Sequence, residues 1–385
     1  MLSGKSLLNH VAGGVLAVSL VAPALSYGWT SSSSSSSSSG SGEWKCEGGS
    51  LLVNVDGTYT DGSSAITEEL WNSIGTGYSY SYFQSAYSDA AKILCSNTAD
   101  AKTNQMRVST TQTVGLISQR AAGTVRALRG PRNTANLLDG QLTGMAAGGS
   151  AAKTGLWANF DHTRADDRAA GSDTKLNNFV LGGDRKLTDK LAVGASVSYQ
   201  DSTLSVASTD FDSTAWTVAP YAAYLINDNM SADFVAGYTW LKNKQPGGTS
   251  YDTNRYFVAS NLNAFTTNLD KWEVGGHTGF MFVKDKVDGV GGAEKNDISF
   301  LQAKTGIETS YYATKSVQPY LNMDYEQDLV YEADQSTYDD TGFVTGMGVR
   351  VDMPANLLGD LHLSKTYGRR NFDQDSITAN LRMNF

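Results

Sequence analysis

The sequence predicts an all-β protein: an antiparallel transmembrane β-barrel of about twelve strands, with an α-helix in its lumen and a small N-terminal domain. Three observations predict this fold class. Between residues 151 and 385, several runs alternate apolar and polar side chains with the two-residue period of strands. Short turns and longer polar loops alternate between these runs, as they do in bacterial outer-membrane barrels. The sequence contains no apolar run long enough for a transmembrane helix.

Residues 1–26 have the pattern of a secretory signal peptide. Lys5 supplies a positive charge, residues 11–22 form a short apolar core, and small residues follow up to Ser26. Because this core is too short to cross a bilayer, we expect cleavage near residues 24–26 and export of the chain. Residues 27–42 form a serine-rich linker that is expected to behave as a flexible coil.

Residues 43–97 form a small segment rich in tyrosine and serine. Cys46 and Cys95, the two cysteines of the sequence, bracket it. In the oxidising compartment that a signal peptide implies, we expect these cysteines to form one disulfide, and two unpaired thiols are the alternative. Closing a loop of this length would stabilise the segment by about 4 kcal/mol in the chain-entropy model.

Residues 98–128 predict a weakly amphipathic helix. Apolar side chains recur there at spacings of three and four, and the segment 130–133 ends the pattern with glycine and proline. Arg107, Arg120 and Arg126 lie on this helix. About twenty helical residues span roughly 30 Å, which is the thickness of the hydrocarbon core of a bilayer.

Residues 151–385 predict the barrel itself. In the last strand, Leu381 and Met383 share a face with Phe385, and polar residues occupy the other face. A soluble sandwich would bury the apolar face, but it gives no reason for the alternating loop lengths, so we expect a barrel with its apolar face toward lipid. Pro220 and Pro319 fall inside predicted strands, where we expect a bulge or a shifted strand boundary.

The same register turns a set of acidic residues inward. These predicted lumen-wall residues are Asp233, Glu273, Asp324 and Glu326. His277 shares a strand face with Glu273, which allows either an acid–base pair or an ordinary polar lining of a wet lumen.

The sequence carries no recognisable catalytic or cofactor-binding motif. Residues 27–97 contain no histidine, which excludes a Ser-His-Asp arrangement and a histidine-based zinc site there. Scattered carboxylates in that segment are read as solvated side chains. We therefore expect no enzymatic activity, no cofactor and no bound metal. The net charge of −9 argues against nucleic acid as a partner.

Taken together, the signal peptide, the polar N-terminal part, the single helix and the C-terminal strand pattern ending at Phe385 resemble the autotransporter family of type V secretion. The resemblance implies that the barrel is anchored in the bacterial outer membrane and displays residues 43–97, the passenger, at the cell surface, with adhesion as one use. It also implies that Phe385, Met383 and Leu381 form the signal read by the barrel-assembly machinery. The passenger is much shorter than usual for the family, and paired asparagines for self-cleavage are missing from the junction.

The resemblance also places the helix. If the passenger lies outside and the barrel begins at the periplasmic rim, residues 98–150 must cross the membrane through the lumen, because arginines would be costly against lipid. We expect the helix to run from the extracellular mouth toward the first strand, with its arginines facing the acidic lumen wall. The expected partners are outer-membrane lipid, the assembly machinery, periplasmic chaperones and a ligand on a host or neighbouring cell, and the chain is expected to be a monomer. An outer-membrane channel with an N-terminal plug is the alternative.

Overall fold

The computed structural model describes the residues that form the regular elements and most of the tight turns. These residues are 44–47, 50–55, 58–61, 101–121, 123–124, 153–168, 170–206, 209–244, 250–266, 271–287, 298–314, 316–331, 339–354 and 356–385. The chain divides into two compact units, one of residues 1–100 with 245–249, and one of residues 101–244 with 250–385.

The first unit contains a small antiparallel sheet. Its strands follow each other in the order β1 (Trp44–Glu47), β2 (Ser50–Val55) and β3 (Thr58–Asp61). Cys46 pairs with Leu51 across β1 and β2. Cys95 lies outside the described residues, so the disulfide stays a prediction.

The second unit begins with the helix α1, residues 101–121, and residues 123–124 are helical as well. Residues 98–100 and 125–128 of the predicted helix lie outside the described part of the chain. Its apolar side chains Val114, Ile117 and Ala121 are buried. Among the described residues, no helix combines the length and apolarity that a bilayer-spanning helix needs.

Twelve antiparallel strands follow and close into one barrel, which confirms the predicted fold class. The strands are β4 (Thr154–Asp167), β5 (Ser172–Lys186), β6 (Leu191–Val206), β7 (Thr209–Asn227), β8 (Met230–Lys244), β9 (Ser250–Phe265), β10 (Trp272–Val287), β11 (Ile298–Tyr311), β12 (Val317–Tyr331), β13 (Thr341–Met353), β14 (Leu357–Tyr367) and β15 (Phe372–Asn384).

The last strand closes the barrel by pairing with the first. The β15–β4 register runs from Phe372 opposite Asp167 to Asn384 opposite Gly155. The backbone N–H of Phe385 also donates to the carbonyl of Thr154 at 2.9 Å. All twelve strands are thus paired on both sides, which leaves no free sheet edge in the barrel.

The barrel has two rims with different connections. We call the rim where β4 begins and β15 ends the turn rim, and the opposite one the loop rim. At the loop rim, the strands continue further than the alternation predicts, so the expected loop 164–174 shrinks to 168–171 and the expected loop 242–253 to 245–249. The predicted loop asymmetry survives mainly in the connections 288–297 and 332–340.

The extra strand length has a physical cause. Near the loop rim, polar residues occupy both faces of the strands, so the period-two signal disappears although the backbone pairing continues. Arg164, for example, lies opposite Lys175 in the β4–β5 register and forms an ion pair of 2.6 Å with Asp173. Side-chain patterning therefore marks the lipid-contacting belt and not the ends of the strands.

We expected a bulge or a shifted strand boundary at Pro220 and at Pro319, and this expectation was wrong. β7 passes through Pro220, and although its pairing with β8 skips Ala219 and Pro220, it resumes at Tyr221 in the same register. Pro319 lies near the start of β12 and pairs with Val349 without a shift. Pro220 is tolerated because the β7–β8 register continues beyond it, and Pro319 because it lies beyond the last β11–β12 pair, Ser310 with Tyr320.

The outer face of the barrel is apolar and the inner face polar, as predicted. Ile377, Leu381, Met383 and Phe385 are exposed outward, and the alternate residues Thr378, Asn380, Arg382 and Asn384 are buried inside. Aromatic side chains collect near both rims: Trp240 packs edge-on against Tyr238 toward the loop rim, and Trp272 packs against Tyr311 at the turn rim. Both tryptophans are about half exposed, as residues at a membrane interface would be.

Candidate functional site

The lumen of the barrel holds α1, which runs from the loop rim to the turn rim. Near its start, the Asn104 amide donates to the carboxylate of Asp167, the last residue of β4. Near its end, the Thr124 hydroxyl donates to Asp184 at 3.2 Å, close to the end of β5. These two contacts lie at opposite ends of neighbouring strands, and the helix direction agrees with the prediction.

The middle of the helix binds the lumen wall through neutral polar side chains and one guanidinium, since Arg255 of β9 donates to the Ser109 hydroxyl at 2.8 Å. The Gln200 amide of β6 donates to Ser109 at 2.8 Å and accepts from the same hydroxyl at 3.0 Å. The Asn178 amide of β5 donates to Thr113 at 3.0 Å. All of these groups are buried, so each bond replaces water that the lumen would otherwise supply.

The lower end of the helix joins a buried network built around Asp184. This carboxylate accepts two bonds of 2.7 Å from the Arg382 guanidinium of β15 and one of 3.1 Å from the Tyr221 hydroxyl of β7. The Trp157 indole N–H in turn donates to Tyr221 at 2.9 Å. With Thr124, this network fixes the end of the helix to four strands.

The helix arginines were predicted to face the acidic lumen wall, and Arg107 and Arg120 line the same cavity as Asp233, Asp324 and Glu326. Arg107 and Arg120 are both buried in the lumen, but their guanidinium groups lie over the rings of Phe372 and Trp157, at 4.3 Å and 5.7 Å from the ring centroids. Arg126 lies outside the described residues. Such cation–π contacts hold a buried guanidinium against an aromatic face.

The four predicted wall carboxylates do point inward and are buried, but they bind their neighbours in the wall. Asp233 accepts from the Asn261 and Asn263 amides at 2.7 Å and 2.8 Å. Glu273 accepts from the Tyr312 hydroxyl at 3.0 Å. Among the described residues, none of the four pairs with Arg107 or Arg120, because the helix lies against the opposite side of the lumen.

The other two wall carboxylates share a lysine. Lys304 lies 3.1 Å from Asp324 and 3.5 Å from Glu326. His277 lies 3.2 Å from Asp324 and not against Glu273, so the acid–base pair with Glu273 is not formed. Its position fits the polar-lining alternative.

Further buried ion pairs cross-link the wall, and the sequence pattern did not identify them. Arg255 binds Asp285 through two bonds of 2.7 Å and 2.8 Å, and Arg350 binds Glu308 through two bonds of 2.7 Å. Alternation could have shown that these side chains face the lumen. Alternation could not have shown which of these side chains bind each other. The two partners lie on different strands, and their positions along the barrel axis depend on the strand register.

A cavity of about 300 Å³ separates the other face of α1 from strands β8–β15. The helix side of the cavity includes Thr111, Gly115 and Gln119, and a side-chain atom added at Gly115 would meet nothing within 4 Å. Among the described residues, the helix packs against one half of the lumen, and this cavity lies on its other side.

The predicted assembly residues Phe385, Met383 and Leu381 all lie on the outer face. There they are accessible from the membrane side of the barrel. Their role in assembly stays a prediction.

Comparison with known proteins agrees with this architecture. A family model described as the autotransporter beta-domain matches residues 153–359. The solved structure of the beta domain of the Bordetella autotransporter BrkA is similar with a TM-score of 0.53 and 15% identity, covering 60% of this chain and 100% of that one. The translocator domain of the autotransporter NalP from Neisseria meningitidis has a TM-score of 0.54 and 14% identity, covering 74% and 99%. At these identities, the two structures show a shared fold. None of the curated protein sequences matches the chain significantly.

Proposed function

Because this chain belongs to the autotransporter β-domain family, we propose that its outer-membrane barrel anchors and displays the passenger, residues 43–97, at the bacterial cell surface. In this proposal the loop rim faces outward and the turn rim faces the periplasm. The serine-rich linker, residues 27–42, precedes the passenger.

The direction of α1 carries the proposal. The helix begins at the loop rim beside Asp167 and ends at the turn rim beside Asp184. Residues 125–153 then need only reach the start of β4, which lies at the same rim as Asp184. This direction supports the proposal, because display requires the chain before residue 101 to leave the lumen at the loop rim.

The remaining roles follow from display. We propose that the barrel-assembly machinery and periplasmic chaperones bring the chain to the outer membrane as a monomer. Adhesion through the tyrosine-rich segment 75–90 is the use we propose for the passenger, because tyrosine offers a flat ring with a polar edge for surface contacts. The proposal assigns no catalytic reaction, no cofactor and no nucleic acid partner.

Protease digestion of intact cells tests display directly. One epitope is inserted near Ser41, ahead of the passenger, and a matched epitope is inserted in the turn at Asp228, at the turn rim. Display predicts that external protease removes the first epitope and spares the second until the outer membrane is permeabilised. A Ser41 epitope that is fully protected in intact cells would overturn the proposal and favour a plug or periplasmic appendage.

A further inference from the structure

Four lysines lie on the outer face of the barrel where β8 and β10 reach the loop rim. Lys242 and Lys244 alternate with inward-facing residues at the end of β8, and Lys284 and Lys286 do the same at the end of β10. We call these four residues the lysine patch. Asp252 of β9 is the one outward-facing carboxylate among the described residues of these three strands. The patch is therefore strongly positive, although the whole chain has a net charge of −9.

The strand register brings the two pairs of lysines together. Lys242 lies opposite Asp252 on one side of β9, and Lys286 lies opposite Asn254 on its other side. Since neighbouring strands are about 4.8 Å apart, β8 and β10 are separated here by roughly 10 Å. Lysine carries its charge at the end of a long flexible stem, so ammonium groups at this spacing can converge on one headgroup.

Most of the patch has no carboxylate partner. In the part of the chain that the structure describes, Lys242, Lys244 and Lys286 form no ion pair, and Lys286 lies over the Tyr256 ring at 5.7 Å from its centroid. These three charges are therefore available to an anion from outside the chain.

Basic residues elsewhere at the loop rim are neutralised within the protein. On the side of β15, β4 and β5, three of them form ion pairs: Arg164 with Asp173 at 2.6 Å, Arg168 with Asp373 at 2.9 Å, and Lys365 with Asp375 at 3.0 Å. The lysine patch thus differs from this sector in its pairing, and not only in the number of its basic residues.

Aromatic and apolar side chains adjoin the patch on the side of the turn rim. Tyr238 packs edge-on against Trp240 and Tyr256, with ring centroids 4.5 Å and 4.9 Å apart. Further along the same outer face, four apolar residues are between 42% and 56% exposed: Phe234, Val258, Phe280 and Phe282. Tryptophan and tyrosine collect where lipid headgroups meet acyl chains, so the patch lies where the phosphates of a lipid would be.

We infer that the lysine patch binds the phosphate groups of lipid A, the multiply phosphorylated glycolipid of the outer leaflet of bacterial outer membranes. The exposed apolar residues beside the patch contact the acyl chains of the same molecule. Clustered lysines at a membrane surface attract anionic headgroups, and a headgroup with more than one phosphate can engage several ammonium groups at once. The inference rests on the orientation in the proposed function, in which the loop rim faces outward.

Titration of the purified full-length protein with lipid A in detergent micelles, followed by native mass spectrometry, tests the inference. Wild type should retain lipid A, and Lys242→Gln with Lys244→Gln and Lys286→Gln should weaken its binding at least about ten-fold. The matched control is Arg164→Gln with Arg168→Gln and Lys365→Gln, which removes the same number of positive charges from paired residues and should bind as wild type does. Asp252→Asn removes the carboxylate beside the patch and should tighten binding.

The choice of lipid tests the assignment to lipid A. Lipid A stripped of its phosphates should bind wild type at least about ten-fold more weakly, and phosphatidylglycerol, with a single phosphate, should also bind more weakly than lipid A. Heat-modifiability on gels checks that each variant is folded. Equal affinity of wild type and the patch variant, an equal loss in the control variant, or equal binding of lipid A and phosphatidylglycerol would overturn the inference. Binding in micelles does not depend on where the passenger lies, so this failure is distinguishable from a failure of display.

Discussion

Replacing Asp184 by alanine should strongly destabilise the barrel. The side chains of Asp184 and Arg382 are 3% and 4% exposed and are joined by two bonds of 2.7 Å. Removing the carboxylate leaves the Arg382 guanidinium buried without its counter-charge, which costs about 3–5 kcal/mol. The Tyr221 hydroxyl loses its acceptor as well, at about 1 kcal/mol, whereas Thr124 still donates to the Arg120 carbonyl at 3.0 Å. We therefore expect Asp184→Ala to lower the free energy of unfolding by at least about 4 kcal/mol.

Urea unfolding of the protein in lipid vesicles, followed by tryptophan fluorescence, measures this loss. Asp373→Ala is the matched control, because it removes a carboxylate that lies 2.9 Å from Arg168 at the exposed loop rim, and it should leave the unfolding midpoint almost unchanged. Asp184→Ala combined with Arg382→Met should recover most of the loss, because an apolar side chain replaces the unpaired charge. A loss of less than about 1 kcal/mol for Asp184→Ala would refute the reasoning that a buried ion pair holds this end of the lumen.

Three further perturbations follow from the same contacts. Arg120→Glu with Arg126→Glu should loosen α1, because residue 120 would lose its cation–π contact with Trp157 and place a carboxylate at a buried position. The double variant should raise the conductance in planar bilayers well above wild type, and an unchanged conductance would count against a helix-filled lumen. Gln200→Leu removes the hydrogen bonds between Gln200 and Ser109 in the middle of the helix and should cost about 1–3 kcal/mol of stability in the same urea assay. A neutral result would mean that water replaces the Gln200 side chain. Gly348→Val would drive a side chain into the Tyr320 ring and should cost about 1–3 kcal/mol, read as a lower temperature for loss of the heat-modifiable band on gels.

The barrel could be predicted because its signal is repeated in every strand. The alternation in the last strand, from Ile377 to Phe385, fixes which side chains meet lipid, and the structure has the same register. The helix could be predicted from its apolar spacing and from the absence of another route across the membrane. Its direction could be predicted because both ends of the barrel lie at one rim.

The helix partners could not be predicted, because they depend on which side of the lumen the helix approaches. A count of inward-facing acids favoured Asp233 and Asp324, but the helix packs on the side of β4–β7, where Gln200 and Asp184 bind it. Arg382 and Asp184 are 198 residues apart in sequence and meet only because β15 closes onto β4. Periodicity shows which face of a strand a side chain lies on. Which residues meet across the barrel also depends on their positions along the barrel axis, and these require the register of every strand between the two.

Site-specific cross-linking within the lumen tests the threaded helix most directly. Cysteines are placed in the pair Asn104/Asp167 near the loop rim and in the pair Thr113/Asn178 further down the helix, and the protein is treated in its native membrane with a short thiol-reactive cross-linker. The structure predicts that both of these pairs cross-link in high yield and that the exchanged pairs, Asn104/Asn178 and Thr113/Asp167, do not. Cross-linking of the exchanged pairs would mean that the helix runs in the opposite direction, and failure of all four would mean that it is not in the lumen.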